Sequence, residues 1–262
     1  MTDDIVLRDN ERIDDLNRAG FRIIQDPKVF CFGMDAVLLA SYASSECRAM
    51  KKGSLKICDL GTGTGVIPIL MAARESGDGA CYDNVSDYDC VEIQPVSVDM
   101  AGRSIRLNHL EEHIKVHEGD INDVKLFLKA HSYDCVTSNP PYMSAHAGLK
   151  NPSDVKMIAR HEILVDLDGI CKAASTLLKC GGCFYMVHRP SRLVDIFSSL
   201  RKYSMEPKAV RMIHAREGEE ANMVLVKARK DAKPQLTVLP PLFIYEDDNE
   251  YTKEVRDIYY GE

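Results

Sequence analysis

The chain has 262 residues, 45% of them hydrophobic and 28% charged, which is enough for one α/β domain with a full core and short appendages. A net charge of −7 argues against a broad basic surface for nucleic acid, and the excess in residues 189–233, 11 Lys and Arg against 6 Asp and Glu, fits a basic flank or an ordinary solvated face equally well. No apolar stretch nears the ~20 residues a membrane span needs, and the acidic start Met1-Thr2-Asp3-Asp4 lacks the layout of a secretory signal, so a cytoplasmic location is expected.

In chain order, the first β-type run is residues 55–60, followed by a glycine turn and a helical pattern at 67–73. Further strands are expected at 87–93, 113–118 and 133–139, with helices at 96–108 and 121–130 between them. A helix at 163–178 ends in Lys179-Cys180-Gly181-Gly182, a basic last turn followed by glycine, and a strand at 182–188 and a helix at 193–203 follow. Strands alternating with helices predict a Rossmann-like parallel sheet covered on both faces. Strands at 207–213 and 222–228 are joined by a polar loop with no crossover helix, which predicts one antiparallel pairing. A linker is expected at 229–235 and a terminal helix at 251–260. The resulting division is an N-terminal segment 1–50, a core 51–230 and a tail 231–262.

Nine cysteines, several set among β-type apolar residues, suit small buried thiols in a reducing compartment. Cys180-Gly181-Gly182-Cys183 has C-x-x-C spacing but no second pair completes a zinc site, and His109, His113 and His117 cannot share one helical face if the last lies in a strand. No metal is expected.

The turn Asp59-Leu60-Gly61-Thr62-Gly63-Thr64-Gly65 follows a strand, as in nucleoside-binding folds. A G-x-G-x-x-G frame fails, because position 66 is valine and position 68 proline, which weakens a dinucleotide reading. Gly61, Gly63 and Gly65, with Thr62 between them, would let backbone approach a cofactor that lacks a pyrophosphate. Glu92, followed by Ile93, ends the next strand, where a carboxylate accepts ribose hydroxyls in open α/β sheets. The polar stretch 75–87 lengthens the spacing from turn to acid and reads as a surface insertion. Asp120, after the third strand, suits an adenine amino group, with the backbone at Ile121 beside the ring. Taken singly, each acid is equally well a helix N-cap or a solvated strand end.

Asn139-Pro140-Pro141-Tyr142 supplies what a planar amine nucleophile needs. The lone pair of such a nitrogen is delocalised, and acceptors placed for the tetrahedral geometry favour the transition state over the ground state. The side-chain oxygen of Asn139 and the main-chain oxygen of Pro140 are those acceptors, two prolines stiffen the turn, and Tyr142 offers a stacking face.

With these residues the chain resembles the class I S-adenosylmethionine-dependent methyltransferases, and within them the tRNA1(Val) adenine-37 N6-methyltransferase family. The likeness also rests on Glu11-Arg12-Ile13-Asp14-Asp15-Leu16, Phe30-Cys31-Phe32-Gly33-Met34-Asp35-Ala36-Val37-Leu38-Leu39, Val91-Glu92-Ile93-Gln94, Ala159-Arg160-His161-Glu162, Pro241-Leu242-Phe243-Ile244-Tyr245 and Glu250-Tyr251-Thr252. The resemblance implies a seven-stranded sheet with one antiparallel strand and methyl transfer to N6 of a tRNA adenine. By it, Asp59, Gly61, Gly63, Glu92 and Asp120 hold S-adenosylmethionine, and Asn139 and Tyr142 the base. Phe32 and Asp35 lie on a segment closing over the cofactor, and Arg160 and His161 are candidates for RNA contact or base positioning. Two rival functions are methylation of a glutamine amide in a protein such as a release factor, and a non-catalytic nucleoside- or RNA-binding module.

Overall fold

The computed structural model describes residues 5–29, 31–50, 53–76, 85–141 and 167–261. Its centre is a sheet of β3 (Lys56–Leu60), β4 (Asp87–Glu92), β5 (Ile114–Glu118), β6 (Tyr133–Ser138), β7 (Leu178–His188), β8 (Met205–His214) and β9 (Ala221–Lys230). Across the sheet the order is β8-β9-β7-β6-β3-β4-β5. β9 runs antiparallel to both of its neighbours, and the other pairings among these seven are parallel. The predicted seven strands with one antiparallel member are therefore present. Two strands of two residues each, β10 (Thr237–Val238) and β11 (Leu242–Phe243), extend the sheet to nine by pairing parallel to β8.

Period-2 alternation divides the side chains of the sheet between two cores. In β7, Cys183, Tyr185 and Val187 enter one core, with α1 (Met34–Met50), α2 (Val66–Ser76) and Ile105 of α3 (Pro95–Leu107). Phe184 and Met186 enter the other, with α4 (Leu167–Leu177) and α5 (Leu193–Lys202). The chain's end belongs to the first core, which takes in Leu242, Ile244 and Val255 of α6 (Lys253–Tyr260).

Three local readings are corrected. Residues 121–130 form a 3-10 helix only over Ile121–Leu126, kinked at Asp123 (φ −108, ψ 16) and ended at Phe127 (φ −134, ψ −13), although Ile121, Val124 and Leu128 keep the apolar spacing. Lys179 to Gly182 belong to β7, not to a helix terminus, and the left-handed Gly181 (φ 76) lies where the β6–β7 pairing is irregular. The expected linker begins inside β9, which continues to Lys230.

Ahead of α1, β1 (Arg12–Asp15) and β2 (Arg22–Gln25) form an antiparallel hairpin. α3 and its C-cap Asn108 supply partners that a further strand would otherwise provide: Ser104 Oγ accepts from the Ile24 N–H at 2.9 Å and Asn108 Oδ1 from the Arg22 N–H at 2.8 Å. Arg103 of the same helix donates to both carboxylate oxygens of Glu11, at 2.7 and 2.5 Å, in a bidentate pair whose side chains are 9% and 3% exposed. Buried Gln25 then accepts the Phe32 N–H at 2.8 Å, which ties the hairpin to the entry of α1. Among the described residues no helix is long and apolar enough to cross a membrane.

Candidate active site

β3 lies between β4 and β6, so the chain builds outward through β4 and β5 and then returns to β6 on the other side. Open parallel sheets place their binding crevice at such a reversal, beyond the carboxyl ends of the strands. Leu60 and Ser138 are register partners, and Ser138 Oγ donates to the Leu60 carbonyl at 2.9 Å. The glycine turn and Asn139 therefore leave the sheet side by side.

The turn is held by backbone. The N–H groups of Gly61 and Thr62 both donate to the Val91 carbonyl, at 2.9 and 3.0 Å, and that of Gly65 to Thr62 at 3.0 Å. Gly61 and Gly63 have φ of 73° and 58°, and a Cβ on either would meet nothing within 4 Å. Glycine is needed there for its conformation, and the space beside it is open to a ligand. Immediately after Gly65, the first turn of α2 carries no acidic residue, so the positive end of its dipole is left for an anion.

Three acids sit at consecutive strand ends. Asp59, 1% exposed, faces Thr137 across the β3–β6 register, and Thr137 Oγ1 donates to its Oδ1 at 2.6 Å. Its Oδ2 and the Thr62 hydroxyl are buried without a partner at full hydrogen-bond geometry among the described residues, although the Thr62 hydroxyl lies close enough to lower the Asp59 pKa. Burial pushes the Asp59 pKa up to about 6; the Thr137 hydroxyl opposes the rise and the charge of Glu92 adds to it. Glu92, 5% exposed, accepts the Gly63 N–H through Oε2 and the Gln94 N–H through Oε1, both at 2.9 Å. Half-buried Ile93 follows it. Asp120 is an N-cap, its Oδ1 accepting the backbone and side-chain N–H groups of Asn122 at 2.8 and 2.9 Å, and Ile121 buries its side chain in the second core.

Asn139 is half-buried, Pro140 buried and Pro141 exposed. Asn139 Nδ2 donates to Asp35 Oδ2 at 3.1 Å, joining the first turn of α1 to the end of β6. Phe32 is half-buried and packs against the first core. Tyr142, Arg160 and His161 lie outside the described residues, as does Phe30. The sequence reading did not anticipate Thr137, although its strand-end position opposite Asp59 was a usable signal once the two strands were paired. Nor did it anticipate Gln25, for which no local pattern exists. Among the described residues no group of three or more His, Cys, Asp and Glu could hold a metal ion.

The open glycine cradle and the buried carboxylates of Asp59 and Glu92 fit a cofactor carrying an ammonium group and a ribose. Together with the sheet order they define a class I methyltransferase, whose cofactor is S-adenosylmethionine. The chain belongs to the methyltransferase small domain family, whose profile matches residues 21–202.

Curated relatives include proteins named tRNA1(Val) (adenine(37)-N6)-methyltransferase. The one from Phocaeicola vulgatus is 27% identical over 206 residues, covering 79% of this chain and 80% of its own. That from Tolumonas auensis is 28% identical over 237 residues, covering 89% and 90%. Among solved structures, a protein from Agrobacterium tumefaciens described as a predicted O-methyltransferase aligns with a TM-score of 0.66 at 25% identity, over 87% of this chain and 96% of that one. A class I S-adenosylmethionine-dependent methyltransferase, by its description, from Listeria monocytogenes aligns with a TM-score of 0.57 at 15% identity, over 80% and 65%. The latter likeness is one of fold.

Proposed function

We propose that this methyltransferase modifies N6 of an adenine in tRNA, at position 37 of the anticodon loop of tRNA1(Val), and that it works in the cytoplasm. The observation that carries the reading is the placement of Asn139-Pro140 at the end of β6, beside the glycine turn, where a base and a cofactor can meet. The names of the curated relatives support the choice of substrate.

S-Adenosylmethionine supplies a methyl group on a positively charged sulfur. Asp59 takes its ammonium group, Glu92 its ribose hydroxyls and Asp120, with the Ile121 backbone, its adenine; Gly61, Thr62, Gly63, Gly65 and Ile93 line the approach. Asn139 and Pro140 accept the N–H hydrogens of the target amine and draw the nitrogen toward a tetrahedral shape, while Tyr142 stacks on the base. Because the N6 hydrogens held by Asn139 and Pro140 become acidic only once the nitrogen carries positive charge, the chain need supply no strong general base. Extruding the base from a loop costs a few kcal/mol, less than from a duplex. Residues 1–50, including Phe32, close over the cofactor; 51–230 form the catalytic core and 231–262 pack upon it. Arg160 and His161 contact the RNA or position the base.

The test is to incubate the protein with methyl-labelled S-adenosylmethionine and unmodified total tRNA, digest to nucleosides and identify the labelled product. Label in N6-methyladenosine supports the reading. Label in another nucleoside, or none in RNA and some in a protein glutamine, contradicts it.

A further inference from the structure

We propose that Asp35 is a positioning residue for the transfer, acting through Asn139 by fixing which end of its carboxamide is oxygen. The inference rests on the adenine reading for its activity assays only. Asp35 divides its carboxylate between two partners: Oδ1 accepts the Ala36 N–H at 2.9 Å, at the start of its own helix, and Oδ2 accepts Asn139 Nδ2–H at 3.1 Å. A carboxylate only accepts, so the amide must present its nitrogen. Rotating that amide by half a turn would set its oxygen against Oδ2 and replace an attraction with a repulsion between two acceptors. With the nitrogen committed to Asp35, the oxygen occupies the opposite end of the amide plane.

The clamp stands on a rigid element. Asp35 lies in the first turn of α1, and Ala36 to Ala40 behind it are all buried. The approach of its carboxylate also depends on Gly33, where a Cβ would stand only 2.8 Å from Asp35 Oδ1. Gly33→Ala should therefore displace this carboxylate while leaving the site's other residues untouched. An amide held in one orientation before substrate arrives needs no reorganisation during the reaction. The pairing gives Asp35 a task distinct from cofactor binding.

Turnover of unmodified tRNA and calorimetric affinity for S-adenosylmethionine would be measured for Asp35→Ala, Asp35→Asn and Gly33→Ala, each with and without Asn139→Ala. Expected are a fall in kcat of about tenfold to a hundredfold for Asp35→Ala, the range typical of losing an outer partner that orients a reacting group, and a smaller fall for Asp35→Asn and Gly33→Ala. KM and cofactor affinity should stay within about twofold, and none of the three should lower activity further once Asn139 is alanine. Near-normal kcat in Asp35→Ala, a parallel loss of cofactor affinity, or losses that multiply with Asn139→Ala would each overturn the inference. A second measurement needs no substrate: a scalar coupling across the hydrogen bond, from Asn139 Nδ2 to the Asp35 carboxylate carbon, should be seen by NMR in the wild-type protein and vanish in Asp35→Ala. Its absence from the wild type overturns the clamp, whereas a wild type that methylates no tRNA but shows the coupling refutes the adenine reading alone.

Discussion

Glu92 grips the glycine turn it was expected only to neighbour: its Oε2 accepts the Gly63 N–H at 2.9 Å while Oε1 takes Gln94 at the same distance. A carboxylate has about four lone-pair positions, so both oxygens retain capacity for a ribose. Glu92→Gln would set an amide N–H against a backbone N–H and remove the charge. Cofactor affinity should drop by about tenfold to a hundredfold, the scale of a hydrogen bond to a charged group. Calorimetry giving an unchanged Kd would remove Glu92 from the binding site.

Asp59 should make the protein without cofactor sensitive to pH. Its pKa is raised in the fold from 3.8 to about 6, so the native state holds its proton more firmly than the unfolded chain. Its contribution is fully present below about pH 4 and is lost as pH rises through 6, by at most ~3 kcal/mol at 1.36 kcal/mol per pKa unit. Asp59→Asn should therefore raise Tm at pH 7.5, leave it unchanged at pH 4, and abolish much of the Tm gain given by S-adenosylmethionine. Thermal melts in which the variant is no more stable at pH 7.5 would show that burial of this carboxylate carries no penalty.

Asp89 has the opposite sign. Burial alone would raise it, but hydrogen bonds from His117 and Tyr133, both 2.7 Å, and the nearby charge of Lys56 hold it at about 2. Its contribution is present above about pH 4 and fades as pH falls toward 2. Asp89→Asn should destabilise the fold by about 2 kcal/mol at pH 7 and by progressively less below pH 4. Urea titrations with a constant difference across that range would contradict the linkage.

The sheet was legible because its strands are short apolar runs separated by glycine turns and amphipathic helices, and the antiparallel β8–β9 pair announced itself by a loop too short for a crossover. α1 was not read. It is buried along Ala36 to Ala40, five consecutive positions, so no polar stripe marks it as a helix. β1 and β2 are four residues each, β1 carries three charges, their pairing is local, and the outer edge of β2 is satisfied by Ser104 and Asn108, 80 or more residues away. At the site, the glycine turn, Glu92 and Asn139 were visible as residues after strands. The bond from Asn139 to Asp35 spans 104 positions and depends on how α1 packs, which no local pattern encodes.

The central claim is that Asn139 grips the nucleophilic nitrogen, and kcat of Asn139→Ala with unmodified tRNA at saturating S-adenosylmethionine tests it most directly. A fall of about 10²–10³, the cost of one preorganised polar partner, with cofactor Kd unchanged, is the predicted result. Turnover close to that of the wild type would contradict it.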